Sequence, residues 1–310
     1  GHAVRRQLAR ERNGGVSVAV TDAELTEARP AFRPSRQGPD AKAFMALPGV
    51  LFMTVVFAVP ISLLIAASFW VGDGLSLEAY RKVVGDPYYV GIIGKTLNLA
   101  VITTFACLLI GYPAAFALVL AKGRWQIVLF ALIFLPLTVS IIVKTFGLSI
   151  MMSRNGIINW TLMWLGIIDR PARIMFTDMS LYISMVNVFI PFMILPLYSS
   201  MRMLDFRLAE AATSLGASPF YVFRRVILPL TMPGVIAGVS LVFSISVAAY
   251  VTPSLLMGDR YMTMSQVMAK AFLFLRDFEL GSAMAVLMLA ISVTVIVVAS
   301  YLAQAARRAD

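Results

Sequence analysis

One cysteine and one histidine are all that the 310 residues contain, and this scarcity removes several kinds of protein at once. A disulfide framework needs paired cysteines, and a Cys/His zinc site needs several such ligands. A Ser-His or Cys-His nucleophilic pair needs a histidine within the fold, whereas His2 follows Gly1 at the very start of the chain. No metal site and no catalytic set is expected. Cys107 lies in an apolar run and reads as a small buried hydrophobe. Charge is scarce too. Only 14% of residues are charged, with 16 acidic against 26 basic; a soluble domain carries about 25% charged residues. Hydrophobic residues reach 60% and the mean hydropathy is +0.85. That is more apolar surface than one water-soluble core can bury, so lipid must be the solvent for much of it. The net charge of +10 would raise nucleic acid as a partner of a soluble protein. Here no basic run is interleaved with aromatics outside the apolar spans, so nucleic acid is set aside and the cations are assigned to cytoplasmic loops.

Residues 1–43 are rich in Arg, Glu, Asp, Gly and Pro and have no sustained apolar period. They are expected to form a disordered cytoplasmic tail. Six apolar spans follow, at 44–70, 97–120, 127–150, 181–200, 234–257 and 280–303. Each is near the roughly 20 residues a helix needs to cross a bilayer, and helices are required because lipid satisfies no backbone polar group. The fold class is therefore an all-α membrane protein of about six transmembrane helices, over residues 44–304, with 305–310 a short cytoplasmic end. Pro60, Pro113, Pro136, Pro191 and Pro196 predict kinks or ends within the spans. The tail, Lys122 and Arg124, Arg202, Arg207, Arg224 and Arg225, and Arg307 and Arg308 fall on one side of a six-span topology. The positive-inside rule makes that side the cytoplasm and puts both termini there. The opposite loops carry mixed signs. Within one of them, residues 155–168 (NGIINWTLMWLGII) are too short to span and read as a helix at the outer interface, with Trp160 and Trp164 at headgroup level.

Residues 201–233 (MRMLDFRLAEAATSLGASPFYVFRRVILPLTMP) are too polar to span and too apolar for a plain linker. Helix formers follow Asp205. Gly216 can stop that helix in the left-handed region. Ser218 can cap a second helix with Pro219 at its first position, and Pro229 is expected to end it. Leu208, Ala211, Ala212 and Leu215 form one apolar stripe, and Phe220, Phe223 and Val226 another. A helical hairpin of this kind must bury its apolar face against the rest of the chain or against a cytoplasmic partner.

Glu210-Ala211-Ala212, then Gly216, then Val226-Ile227-Leu228-Pro229 resembles the EAA loop of binding-protein-dependent ABC importer permeases. The pattern there is EAA, three residues, Gly, nine residues, Ile, any residue, Leu-Pro; Val226 for Ile is the one departure. Residues 76–86 (SLEAYRKVVGD), Gly111-Tyr112-Pro113, residues 155–159 and Tyr250-Val251-Thr252-Pro253 look like the polyamine (spermidine/putrescine) branch. The resemblance covers roughly residues 44–303. It implies a type I ABC importer permease in a bacterial inner membrane, with no enzymatic activity and no cofactor of its own. ATP and Mg would reside on a partner ATPase dimer. The other implied partners are a second, homologous permease, a periplasmic binding protein and the bilayer. By this matching Glu210 contacts the ATPase groove, Ala211 and Ala212 allow close packing, Gly216 makes the turn, and Leu215, Ala217, Ser218 and Pro219 complete the docking surface.

Gly94-Lys95-Thr96 ends like a phosphate-binding loop, but Tyr89 stands where that motif needs its first glycine. Gly234 and Gly238 form a GxxxG, read as close helix packing. Lys144 is the exceptional charge within a span; it either lines the solute pathway or snorkels to the outer interface. Ser244, Tyr250 and Thr252 are candidate pathway residues. Polyamine-type relatives often carry a carboxylate just before Tyr-Val-Thr-Pro, where this chain has Ala249. The cargo expected from the resemblance is a polyamine-like polar organic solute; Ala249 and Lys144 would suit a zwitterionic or anionic one. A secondary carrier is the competing class, but its internal repeats and charged midplane are not evident. An intramembrane enzyme would need a catalytic set that the spans lack.

Overall fold

The computed structural model describes residues 41–71 and 74–309, with side chains over 48–70 and 74–301. Residues 1–40 of the expected tail lie outside the described residues. Contacts divide the chain into Gly1–Phe57 and Ala58–Asp310. The described part of the first unit is the start of helix α1 (Ala41–Phe69), with exposed side chains from Pro48 to Phe57. In the second unit α1 ends beside a two-residue ladder, β1 (Trp70–Val71) with β2 (Gly74–Leu75), and a short amphipathic helix, α2 (Glu78–Gly85). The buried Ser68 hydroxyl lies 2.7 Å from that of Tyr80, which fastens the end of α1 to α2.

Helix α3 (Pro87–Leu120) starts on an Asp86 cap that accepts from Tyr88 N at 2.8 Å, with Pro87 at its first position, where no amide is missed. The third expected span is not one helix. It is α4 (Arg124–Phe134), a tight turn at Leu135–Thr138, and α5 (Ile141–Met151), bent by 103°. Pro136 offers no amide to the preceding turn, and Val139 and Ser140 are extended, so the helix axis turns there. Helix α6 (Ile157–Trp164) follows, and then α7 (Asp178–Arg202), which keeps both Pro191 and Pro196 within it.

The helical hairpin expected from the sequence is α8 (Arg207–Ser214) and α9 (Pro219–Val222). Pro229 does not end the second helix, as its chemistry alone suggests. α9 runs through a π-turn, Phe223–Ile227, straight into α10 (Leu228–Val247), giving one helical path of 29 residues. In the π-turn the Leu228 amide reaches back five residues to Phe223. Pro229 then sits at the start of a helix, where its lost donor costs little. The expected fifth span stops early instead, at Val247. Pro253 cannot donate into a continuous helix, and the chain restarts as α11 (Val251–Met257). α12 (Met264–Lys270), a second π-turn at Ala271–Leu275 and α13 (Phe278–Ala309) complete the order. Among the described residues five helices are long and apolar enough to cross a membrane, and the bent α4–α5 pair, counted as one span, makes six.

The centre is the mutual packing of α3, α7 and α10. Lipid is as apolar as leucine, so close packing rather than water exclusion must hold these helices together. The small residues supply it. A Cβ on Gly234 would fall 2.5 Å from Ser200 Cβ and 2.8 Å from the Pro196 carbonyl oxygen. One on Gly238 would fall 2.8 Å from Met193 Sδ, and one on Gly111 3.1 Å from Met193 Cγ. Met193, fully buried on α7, is thus wedged between glycines of α3 and α10. The GxxxG of the sequence serves packing inside the chain. A second buried cluster (Val83, Ile92, Phe243, Met264 and Met284) ties α2, α12 and α13 to α3 and α10.

Candidate coupling surface and solute pathway

The α8–α9 hairpin is built from local rules. Asp205 Oδ1 accepts from Arg207 N at 3.0 Å as α8 begins. Glu210 lies in the first turn, where the helix dipole favours a carboxylate. The helix stops as expected at Gly216, whose φ of +86° suits a residue without a Cβ. Gly216 N bonds Thr213 O at 2.9 Å and Ala217 N bonds Ala212 O at 3.1 Å, the paired reverse bonds of a Schellman stop. Ser218 then accepts from Tyr221 N at 3.3 Å, with Pro219 next. The turn is therefore over-determined and rigid.

The hairpin does not bury its apolar residues in its own chain. Leu215 is 89% exposed, Phe220 72% and Leu208 52%. Glu210, Ala211, Gly216, Ser218 and Pro219 are exposed, and Ala212 and Ala217 half-buried. A shallow groove of about 640 Å³ beside α8 is lined by Lys122, Phe206, Glu210 and Ser214. All eight residues matched to the docking motif thus lie on one short, presented element.

The four candidate pathway residues part company. Lys144 is half-buried on α5, and among the described residues it forms no ion pair. Ser244 is half-buried on α10 with its hydroxyl donating to Ser240 O at 2.8 Å. Tyr250 sits in the break after α10 and is 43% exposed. Thr252 is buried at 1% exposure, its hydroxyl 3.4 Å from that of Thr145. That contact brings α11 against α5 at the residue next to Lys144, so the half-helices that follow the two breaks meet. The turn at Thr138, Val139 and Ser140 is exposed. Irregular backbone at membrane depth is tolerated only where protein covers it or a water-filled path adjoins it.

Several structural anchors were legible only as polar residues in apolar surroundings. Asn159, fully buried on α6, donates to Ser153 O and Ala172 O at 3.0 Å each and accepts from Ala172 N at 2.9 Å. It stitches the 153–172 loop and leaves Trp160 and Trp164 on the outer face, 62% and 74% exposed. Thr96, in the false phosphate-loop match, is a buried clamp: its hydroxyl donates to Ile92 O and accepts from Met264 N at 2.9 Å. Beside it the Tyr261 phenol donates to Lys95 O at 3.1 Å, and burial holds that phenol above its ordinary pKa. Among the described residues no group of three or more His, Cys, Asp or Glu side chains gathers as a metal site would require.

Comparison with known proteins agrees with this geometry. The family model described as binding-protein-dependent transport system inner membrane component matches residues 107–308. The spermidine/putrescine transport system permease protein PotB of Escherichia coli (strain K12) is 38% identical over 231 residues, covering 72% of this chain and 84% of the relative. PotB of Haemophilus influenzae is 36% identical over 246 residues, covering 76% and 86%. A crystal structure of a bacterial ABC transporter involved in import of the acidic polysaccharide alginate contains a chain of the same fold. Its TM-score is 0.67 at 13% identity, covering 84% of this chain and 94% of that one. The chain therefore belongs to the inner membrane components of binding-protein-dependent transport systems, and it is a permease subunit of an ABC importer rather than an enzyme.

Proposed function

We propose that the α8–α9 hairpin is the surface on which a separate ATPase subunit docks, and that this chain forms half of a solute pathway completed by a second, homologous permease. The observation that carries the reading is the exposed apolar tip of a rigid hairpin outside the spans, at Leu208, Leu215 and Phe220. Water disfavours such a patch, and a partner groove accommodates it. Glu210, Ala211, Ala212, Leu215, Gly216, Ala217, Ser218 and Pro219 are the docking residues. The hairpin and both termini lie on the cytoplasmic side of the bacterial inner membrane, and a periplasmic binding protein delivers cargo from the other. ATP and Mg belong to the ATPase dimer, and this chain holds no cofactor. Two docking hairpins on two ATPases need two permeases, which is why a partner permease is part of the proposal. ATP-driven closure then biases a two-state membrane domain through the hairpins.

The pathway side is the surface carrying the exposed turn at 138–140 and Tyr250, near Lys144. The cargo is a small polyamine-like cation, a reading supported by the names of the relatives. Ala249 and Lys144 support a second reading, a zwitterionic or anionic solute, because a cation at low dielectric needs an acidic partner. Glu210→Arg tests the docking. The variant is expected in the membrane at normal abundance with ATPase recovery on affinity purification sharply reduced; undiminished recovery removes Glu210 from the contact. Competition of uptake by spermidine against a carboxylate or zwitterion separates the two cargo readings.

A further inference from the structure

In the Gly111-Tyr112-Pro113 run of α3, Gly111 packs against Met193. Tyr112 does something different. Its hydroxyl lies 2.9 Å from Thr231 Oγ1 on α10, a residue fully buried just past the π-turn. Thr231 Oγ1 also lies 3.1 Å from Ile227 O and 3.0 Å from Leu228 O. Carbonyl oxygens can only accept, so with the Thr231 proton on one of them the Tyr112 hydroxyl donates to Thr231 Oγ1. A directed chain results, from Tyr112 through Thr231 to the junction between the π-turn and α10. The same tyrosine ring meets Phe223, the first residue of the π-turn, edge-on at 5.7 Å. Tyr112 thus grips both ends of the turn, one by its ring and the other by its hydroxyl.

That turn is the one departure from α geometry along the path from the docking hairpin to α10. It is followed by Pro229 and Pro233, which withhold two amides from the helix ladder. π-turns and prolines are where a helix bends, and back-bonding of a threonine hydroxyl to its own helix adds to the bend. Beside the two rings lies an open apolar cleft of about 450 Å³, lined by Leu108, Tyr112, Phe116, Phe223, Leu228 and Val235, which leaves room for the turn to move. We propose that the π-turn is the joint through which the docking hairpin moves α10, and that Tyr112 is the positioning residue that carries the same motion to α3. This rests on the docking reading above.

Tyr112→Phe removes the hydroxyl and keeps the ring; Thr231→Val removes its acceptor. Each variant and the double would be reconstituted with ATPase, companion permease and binding protein. Assembly is read by size-exclusion chromatography, and coupling by the ratio of binding-protein-stimulated to basal ATP hydrolysis. One hydrogen bond biases a two-state equilibrium by roughly two- to tenfold. The ratio is expected to fall by that factor in Tyr112→Phe, equally in Thr231→Val, and no further in the double, with assembly intact. A normal ratio in Tyr112→Phe, or additive losses in the double, overturns the latch. A wild-type chain that never recruits the ATPase overturns the docking reading instead, and the latch with it.

Discussion

Gly234→Ala adds one methyl group where α10 crosses α7. Its Cβ would lie 2.5 Å from Ser200 Cβ, 2.8 Å from Pro196 O and 3.1 Å from Ser200 Oγ. Carbon atoms settle about 3.5–4.0 Å apart, so one helix must retreat by about 1 Å and loosen the seam around it. Neither obstacle can swing aside, since one is a Cβ and the other backbone. Overpacking of this kind costs about 1–3 kcal/mol. At about 2–4 °C per kcal/mol, a cost near 2 kcal/mol lowers Tm by about 4–8 °C. Gly238→Ala is the internal control. Its first obstacle is Met193 Sδ at 2.8 Å, the far part of a flexible side chain, with the Met193 carbonyl oxygen next at 3.3 Å. It should cost about 1 kcal/mol or less. Ser200→Gly in the Gly234→Ala background removes the nearest atom but not the Pro196 carbonyl, so rescue should be partial. The assay is thermal unfolding of the purified protein in detergent, with the parent and all three variants in parallel. A Gly234→Ala protein within about 1 °C of the parent, or a Gly238→Ala protein worse than it, would refute the packing account.

Asn159→Ala orphans the half-buried Ala172 amide and two carbonyls of the 153–172 loop, a loss of about 2–3 kcal/mol; hydrogen exchange of the Ala172 amide should quicken at least about tenfold, and unchanged exchange would mean the stitch is dispensable. Thr96→Val leaves Met264 N without its acceptor and should cost about 1–3 kcal/mol in the same unfolding assay; a neutral result would remove Thr96 as the clamp of α12. Lys144→Met should alter transport kinetics while leaving assembly intact; wild-type kinetics would assign Lys144 to the interface instead of the pathway.

Much of this was legible beforehand because it depends on local chemistry. Gly216 takes the left-handed conformation, Ser218 caps and Pro219 opens α9 for reasons confined to a few residues. The apolar spans are likewise a matter of length and composition. What hydropathy cannot carry is the direction of a helix axis. Pro113, Pro191 and Pro196 stay inside continuous helices, whereas Pro136 accompanies a 103° bend. The difference lies in which neighbours accept the freed backbone groups, and that is decided by tertiary packing. The continuity of α9 into α10 has no local signature for the same reason: Pro229 reads as a stop unless the preceding turn is wound as π. Of the pathway candidates, Thr252 reads as polar and available in the sequence, yet its hydroxyl is turned inward to Thr145. Tyr112 carries no local signal for its role, because Thr231 is 119 residues away in sequence.

The most direct test of the central claim is mass spectrometry of what co-purifies with this chain from gently solubilised native membranes. The account predicts an ATPase subunit and a second permease in stoichiometric amounts, both lost when Glu210→Arg and Leu215→Asp are combined if the hairpin also organises the pair, and the ATPase alone lost if it does not. A chain that purifies by itself, and moves solute in liposomes without ATP, would contradict it.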